Sequence, residues 1–281
     1  TLKYAYLYAK TVTLGRTHWA DTNRVMLRNR RIGCSVSGVA QFVTNRGLDK
    51  FKEWLNDGYN VIQDWDKQYS DWFAVPRSIK TTSVKPSGTV SLLAGATPGL
   101  HYPESRFYIR RIRLSKHSEL IEPLKKANYL VEPAFGSEDT TMVVEVPVDV
   151  GEGIRTASEL SIWEQFSLAA FLQRHWADNQ VSCTVTFDPE TEANQIAPCL
   201  NYYQYHLKGI SLLPRHDYGA YQQMPYEAIT EEVYNRHVKQ LGKLSFGVIK
   251  NEEADIDKFC NNDSCEITPL TGDNDDQEYA N

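Results

Sequence analysis

Two groups of residues could do chemistry by type and spacing. Cys260 and Cys265 stand with four residues between them in Cys260-Asn261-Asn262-Asp263-Ser264-Cys265, and Lys85-Pro86-Ser87-Gly88-Thr89 joins a β-branched run to a helix-like one. A strand that ends in a hydroxyl- and glycine-rich turn and passes into a helix aims free N–H groups and the positive dipole end at one point, which attracts phosphate. Gly88 permits close approach of the backbone to a ligand, and Ser87, Thr89 and Ser91 add hydroxyl donors. The Walker pattern Gly-x-x-x-x-Gly-Lys-Ser/Thr is absent. The plain alternative is that Ser87 or Thr89 only caps the helix, an effect of about 1 kcal/mol.

The cysteine pair lies in a segment too polar to pack a core. A dithiol there can close a small disulfide loop and exchange with an outside reductant or a partner disulfide. Zinc would require further ligands at short spacing, and the nearest histidine is His237, so no metal is expected. Two incidental exposed thiols are the alternative. Cys34, Cys183 and Cys199 have no regular spacing and lie in apolar surroundings, which predicts reduced, buried thiols instead of a secreted disulfide framework.

Hydrophobic periodicity predicts the elements that hold these groups. Residues 1–20 read as a helix, followed by a loop through Asp21-Thr22-Asn23 and a polar turn to Gly33. Residues 37–55 read as helix or helices, 61–73 as a further helix, 79–84 as a strand halted by Pro86, and 89–94 as the start of a helix. Three later runs, 141–148, 181–187 and 207–213, read as strands, with helices at about 158–175 and 231–240. Strands spaced by helical segments imply βα units and a mainly parallel sheet. The phosphate turn then sits at the carboxyl ends of the strands, where α/β ligands bind.

At 281 residues, with 41% apolar and 11% aromatic residues, the chain can build a real core. From Asn251 onward ten Asp/Glu stand against one Lys, a net −9 that leaves residues 1–250 at +3 within the overall −6. The expected domains are a folded region 1–249 and a flexible acidic tail 250–281 that carries the dithiol. Arg106, Arg110, Arg111, Arg113 and Lys116 concentrate positive charge after the phosphate turn. That cluster suits a polyanionic small molecule or a solvated charged strand, whereas nucleic acid would need a broader basic face with interleaved aromatics. No apolar run approaches the roughly 20 residues that cross a bilayer, so a cytoplasmic protein without membrane or DNA binding is expected. The chain opens on Thr1 inside an apolar-periodic run, which predicts a piece of a longer polypeptide.

Longer motifs point to a family. Arg28-Asn29-Arg30-Arg31-Ile32-Gly33, the continuous stretch from Lys85 to Pro103, Asp178-Asn179-Gln180-Val181-Ser182-Cys183, Leu207-Lys208-Gly209-Ile210-Ser211 and the closing Cys-x4-Cys resemble the adenosylcobalamin-dependent (class II) ribonucleotide reductases of the ribonucleoside-triphosphate reductase type. The resemblance implies an α/β fold, the second half of a ten-stranded α/β barrel: a five-stranded parallel half-sheet with flanking helices. It implies Ser87, Gly88, Thr89, Val90 and Ser91 as substrate-phosphate ligands, largely through backbone N–H, and Cys260 and Cys265 as a swinging-arm dithiol reduced by thioredoxin. It further implies a ribonucleoside triphosphate or diphosphate substrate, adenosylcobalamin in the full-length enzyme, and a nucleotide effector bound by a region outside this chain.

One part of that pattern is missing. The family's Asn-x-Cys-x-Glu, whose cysteine carries the radical, does not occur: Glu266 follows Cys265, but Asn262-Asp263-Ser264 precede it. The active-site cysteine pair is also absent, so the chain alone is expected to be inactive. A class I large subunit, whose radical comes from a metal-bearing partner, and a catalytically inactive nucleotide-binding module remain as alternatives.

Overall fold

The computed structural model describes residues 1–88, 90–215 and 222–245. It opens with α1 (Leu2–Val12) and α2 (Ala20–Asn29), followed by β1 (Arg31–Cys34), α3 (Val39–Arg46) and the 26-residue α4 (Leu48–Phe73). The loop expected at Asp21-Thr22-Asn23 is instead the first turn of α2. Its polar residues serve the helix entrance: Asn23 Oδ1 accepts from the Thr17 amide at 2.7 Å, and Asn23 Nδ2 donates to the Thr17 carbonyl at 2.9 Å.

Of the helix or helices expected at 37–55 and the further helix at 61–73, the first region breaks at Gly47, and no break separates Leu55 from Val61. Phe51, Leu55, Gly58, Ile62, Asp66 and Tyr69 keep one buried stripe at helical spacing through all of α4. Gly58 continues that stripe because a β-carbon there would lie 3.1 Å from Leu2 Cδ1 and 3.3 Å from Trp176 Cζ3. Asp66 is the polar member of the stripe. It is buried with Lys10, whose Nζ reaches Asp66 Oδ1 at 2.5 Å and Ser70 Oγ at 2.8 Å, while Tyr6 donates to the same Oδ1 at 2.7 Å.

The parallel strands form two pairs. β1 runs parallel to β2 (Lys80–Thr82), and β6 (Thr184–Phe187) runs parallel to β7 (Ser211–Pro214) in the register Thr184 opposite Ser211 to Phe187 opposite Pro214. One parallel bridge, Val84 to Val181, joins the pairs, so the strand sequence across them is β1-β2-β6-β7. The α/β class expected from the sequence holds; four short parallel segments are described where a five-stranded half-sheet was expected. α6 (Ile162–His175) packs Phe166, Ala169 and Leu172 onto this layer, and α7 (Ile196–Tyr203) connects β6 to β7.

The strand expected at 141–148 is present but not in the parallel sheet. β5 (Thr141–Asp149) pairs antiparallel with β3 (Phe107–Ser115), from Phe107 opposite Asp149 to Ser115 opposite Thr141. β4 (Val131–Pro133) and β8 (Tyr226–Ala228) flank them in the order β4-β5-β3-β8. Leu114, Ile121 of α5 (Ile121–Lys126), Met142 and Val144 form a small core of their own. α8 (Glu231–Gln240) lies against this sheet, with the Phe107 and Tyr234 rings 5.0 Å apart.

Of the two readings left open for the basic cluster, a polyanion site or a charged strand, this sheet favours the strand. Arg110 and Arg113 are buried on β3, and Arg110 lies 4.4 Å over the Tyr226 ring. Arg111 pairs with Glu145 at 2.6 Å and Glu227 at 2.5 Å, and Arg106 with Asp149 at 3.2 Å. The cations lie on a strand whose neighbours supply carboxylates, so their spacing reflects strand pairing.

Candidate phosphate-binding site

Because β1 and β2 run parallel, the loops leaving their carboxyl ends emerge side by side. The first is Ser35-Val36-Ser37-Gly38 and the second Lys85-Pro86-Ser87-Gly88. The Lys85 amide donates to Ser35 Oγ at 2.9 Å, and Ser37 Oγ lies 2.6 Å from Ser87 Oγ. A third strand of backbone, 95–99, folds back over both. The Gly99 amide is shared between Ser87 Oγ at 3.1 Å and Ser37 Oγ at 3.3 Å. Gln41 of α3 clamps the same segment, donating to the Gly95 carbonyl at 2.9 Å and accepting from the Thr97 amide at 2.9 Å.

Within the turn, Ser87 and Gly88 are half-buried, Val90 is exposed and Ser91 is buried. Thr89 lies outside the described residues. The helix expected from 89 onward is a 3-10 helix of five residues, Val90–Ala94, closed by Gly95 at φ +61°. The short 3-10 segment has little macrodipole to offer, so the attraction for an anion rests on individual donors. The amides of Gly88 and Val90 donate no hydrogen bond among the described residues. Ser91 is committed: its amide and its Oγ both donate to the Ser87 carbonyl, at 2.9 and 2.6 Å. Its hydroxyl therefore shapes the turn in this conformation.

A cleft enclosing about 750 Å³, open solvent included, lies on the other side of the 98–104 segment. Leu100, Tyr102, Tyr108, Cys183, Thr186 and Tyr226 are among its walls; Ser87 to Ser91 are not. His101 ties the cleft to β6, its Nε2 accepting from the Thr184 amide at 3.1 Å. Turn and cleft thus share one piece of backbone without sharing a cavity.

Cys34, Cys183 and Cys199 are buried and unbridged, as their apolar surroundings imply. Burial pushes all three thiols up, Cys183 to about 12, so they rest as thiols and are poor nucleophiles. Cys260 and Cys265 lie outside the described residues. Among the described residues no group of three or more His, Cys, Asp and Glu could hold a metal ion, and no helix is long and apolar enough to cross a membrane.

The sequence names Ser87, Gly88, Thr89, Val90 and Ser91; Ser37, Gln41 and Gly99, which the structure brings against that turn, were not among them. The available signal was Ser35-Val36-Ser37-Gly38 itself, a second Ser/Gly turn after a strand end, with hydroxyl donors of the same kind as the first.

No family model matches the chain. It is 56% identical over 271 residues to a probable adenosylcobalamin-dependent ribonucleoside-triphosphate reductase of Dictyostelium discoideum, covering 95% of this chain and 36% of that protein. It is 56% identical over 270 residues to the adenosylcobalamin-dependent ribonucleoside-triphosphate reductase of Euglena gracilis, covering 94% of this chain and 37% of that protein. The chain therefore spans little more than a third of the length of these relatives. In structure it resembles a B-12 dependent (class II) ribonucleotide reductase, with a TM-score of 0.74 and 32% identity over 86% of this chain and 38% of the other. The alpha subunit of the Actinobacillus ureae class Id ribonucleotide reductase shares the fold, with a TM-score of 0.55 and 14% identity over 76% of this chain and 46% of the other. The chain belongs to the adenosylcobalamin-dependent (class II) ribonucleotide reductase family.

Proposed function

We propose that the chain is part of an adenosylcobalamin-dependent ribonucleoside-triphosphate reductase, in which it binds the substrate's phosphates and delivers reducing equivalents. The observation that carries the first role is the Ser87-Gly88 turn, fastened at the carboxyl ends of two parallel strands by Ser37 and the Gly99 amide. Its backbone amides and hydroxyls suit a group with three anionic oxygens. Thr89, Val90 and Ser91 complete the ligand set in this reading. The parallel pairs then belong to one half of the barrel, and residues 1–249 form the folded region to which the acidic segment 250–281 is attached.

Reduction at the ribose 2′ carbon removes the hydroxyl as water and takes two electrons from a cysteine pair, which closes to a disulfide. The thiolate of one of Cys260 and Cys265 attacks that disulfide and the second displaces the mixed disulfide, so the pair is restored and the Cys260–Cys265 disulfide forms. The dithiol of thioredoxin reduces it in turn. Adenosylcobalamin, when bound, supplies a radical by homolysis of its cobalt–carbon bond. The radical cysteine and the nucleotide effector site fall to the part of the enzyme beyond this chain.

The reading is tested by a structure with a ribonucleoside triphosphate bound. Phosphoryl oxygens within hydrogen-bond distance of residues 87–91 are expected, and a nucleotide seated with those oxygens elsewhere overturns the assignment. Assays separate the whole from the part: the full-length protein turns over only with adenosylcobalamin, and the 281-residue chain alone produces no deoxynucleotide.

A further inference from the structure

We propose that Ser37 is a positioning residue for the phosphate turn: it fixes the Ser87 hydroxyl so that the pair presents one O–H to a phosphoryl oxygen. The inference rests on the phosphate reading and adds a residue from a different loop. It follows from a count of protons. The two hydroxyls carry two protons, and the Gly99 N–H is donated to both oxygens, at 3.1 and 3.3 Å. One hydroxyl proton occupies the 2.6 Å contact between the oxygens. The other has no acceptor among the described residues, and it belongs to a pair whose Ser37 member is solvent-exposed.

A donor left over at this point is adjacent to the Gly88 and Val90 amides, which are likewise without acceptors among the described residues. An O–H donated to a charged oxygen is the stronger kind of hydrogen bond. Without Ser37, the Ser87 oxygen keeps only the Gly99 N–H, and its own O–H, no longer fixed by the neighbouring hydroxyl, can turn back on local backbone acceptors. Gly38 supports the arrangement. It adopts φ +77°, and its amide donates to the Thr97 carbonyl at 2.8 Å, so the Ser37 loop and the 95–99 segment are held in register.

The test measures binding of inorganic tripolyphosphate, a ribonucleoside triphosphate and the parent nucleoside to the full-length protein and its variants. Ser37→Ala is expected to weaken tripolyphosphate and triphosphate binding roughly threefold to tenfold, the size of one hydrogen bond. It should leave the nucleoside and the thermal midpoint unchanged, and Ser37→Thr, which keeps the hydroxyl, should restore most of the affinity. Combined with Ser87→Ala, the loss should be less than the sum of the single losses, because the two act as one unit. If Ser87→Ala weakens the phosphate ligands and Ser37→Ala does not, the inference fails and the phosphate reading stands. If neither changes the binding of a triphosphate that the protein does bind, or if the unaltered protein binds none of the phosphate ligands, the phosphate reading falls and takes this inference with it. An equal loss for the nucleoside overturns the positioning role in favour of a general structural one.

Discussion

Gly99 packs against Lys85 so closely that a β-carbon on Gly99 would lie 2.7 Å from the Lys85 carbonyl oxygen. The residue also holds φ at +50°, a conformation that favours glycine. Contact and backbone angle both exclude a side chain at the point where 95–99 closes over the Ser87-Gly88 turn. Gly99→Ala is expected to cost about 1–3 kcal/mol in urea unfolding, with tripolyphosphate binding lost alongside it. Unchanged stability and affinity would show that the closure does not constrain the turn.

A second prediction concerns the buried pair of α1 and α4. Burial pushes the Asp66 carboxyl up, but hydrogen bonds from Lys10, Tyr6 and Ser78 together outweigh it and hold the group below its ordinary value. A carboxyl depressed on folding stabilises the protein above its unfolded pKa of about 4, and that contribution is lost as pH falls through the folded value. Stability should therefore decline below about pH 4. Lys10→Met leaves the buried carboxylate with the Tyr6 and Ser78 hydrogen bonds and, as its remaining ion pair, the exposed Arg77 at 3.6 Å, and should cost about 3 kcal/mol, whereas replacing both partners by apolar residues of similar volume should cost less. Denaturant melts of the two single variants and the double variant decide the matter, and additive losses would argue against coupling.

How much of this was legible in the sequence depends on where the determining contact lies. α8, with Thr230 accepting from the Val233 amide at 3.3 Å, and the core-facing stripe of α6 follow from local signals, so their positions could be read directly. The partner of β5 could not be read. Its alternation suits parallel or antiparallel pairing equally, and only its pairing along the whole of β3 decides. The basic run stayed ambiguous for the same reason, since Glu145 and Glu227 neutralise Arg111 across strands, from 34 and 116 residues away. At the candidate site, the Pro-Ser-Gly turn could be named from its residue types, which suit an anion or a helix cap. Ser37, 50 residues from Ser87, becomes part of it only through the parallel register of β1 and β2.

The entrance of α6 gives a prediction with its own pH window. Ser161 Oγ accepts from the Glu164 amide at 3.2 Å, and Glu164 Oε2 accepts from the Ser161 amide at 3.0 Å, a reciprocal cap. Hydrogen bonds from Arg155 first, and from the Ser161 amide next, hold the Glu164 carboxyl at about 2. Its contribution is complete above the ordinary value of 4.5 and disappears as pH falls toward 2. Ser161→Ala should cost about 1 kcal/mol at neutral pH. Glu164→Gln, which keeps an acceptor but loses the charge, should melt below the parent at pH 7 and with it at pH 2. A gap that persists at pH 2 would assign the effect to packing.

The last prediction addresses the dithiol, because its role separates one round of reduction from continuous turnover. If Cys260 and Cys265 only carry electrons from thioredoxin, the active-site pair can still complete one reduction from its initial reduced state. Cys260→Ser or Cys265→Ser in the full-length enzyme should then keep the first product equivalent and lose the steady state supported by thioredoxin. A small dithiol that reaches the active site directly should restore part of that rate, since exchange needs only access and a reactive thiolate. Rapid-quench measurement of the first turnover beside the steady-state rate distinguishes the cases. A steady thioredoxin-supported rate equal to that of the parent removes the two cysteines from the mechanism. Loss of the first turnover as well would place them at the ribose itself, a role that the absence of an Asn-x-Cys-x-Glu sequence around Cys265 argues against.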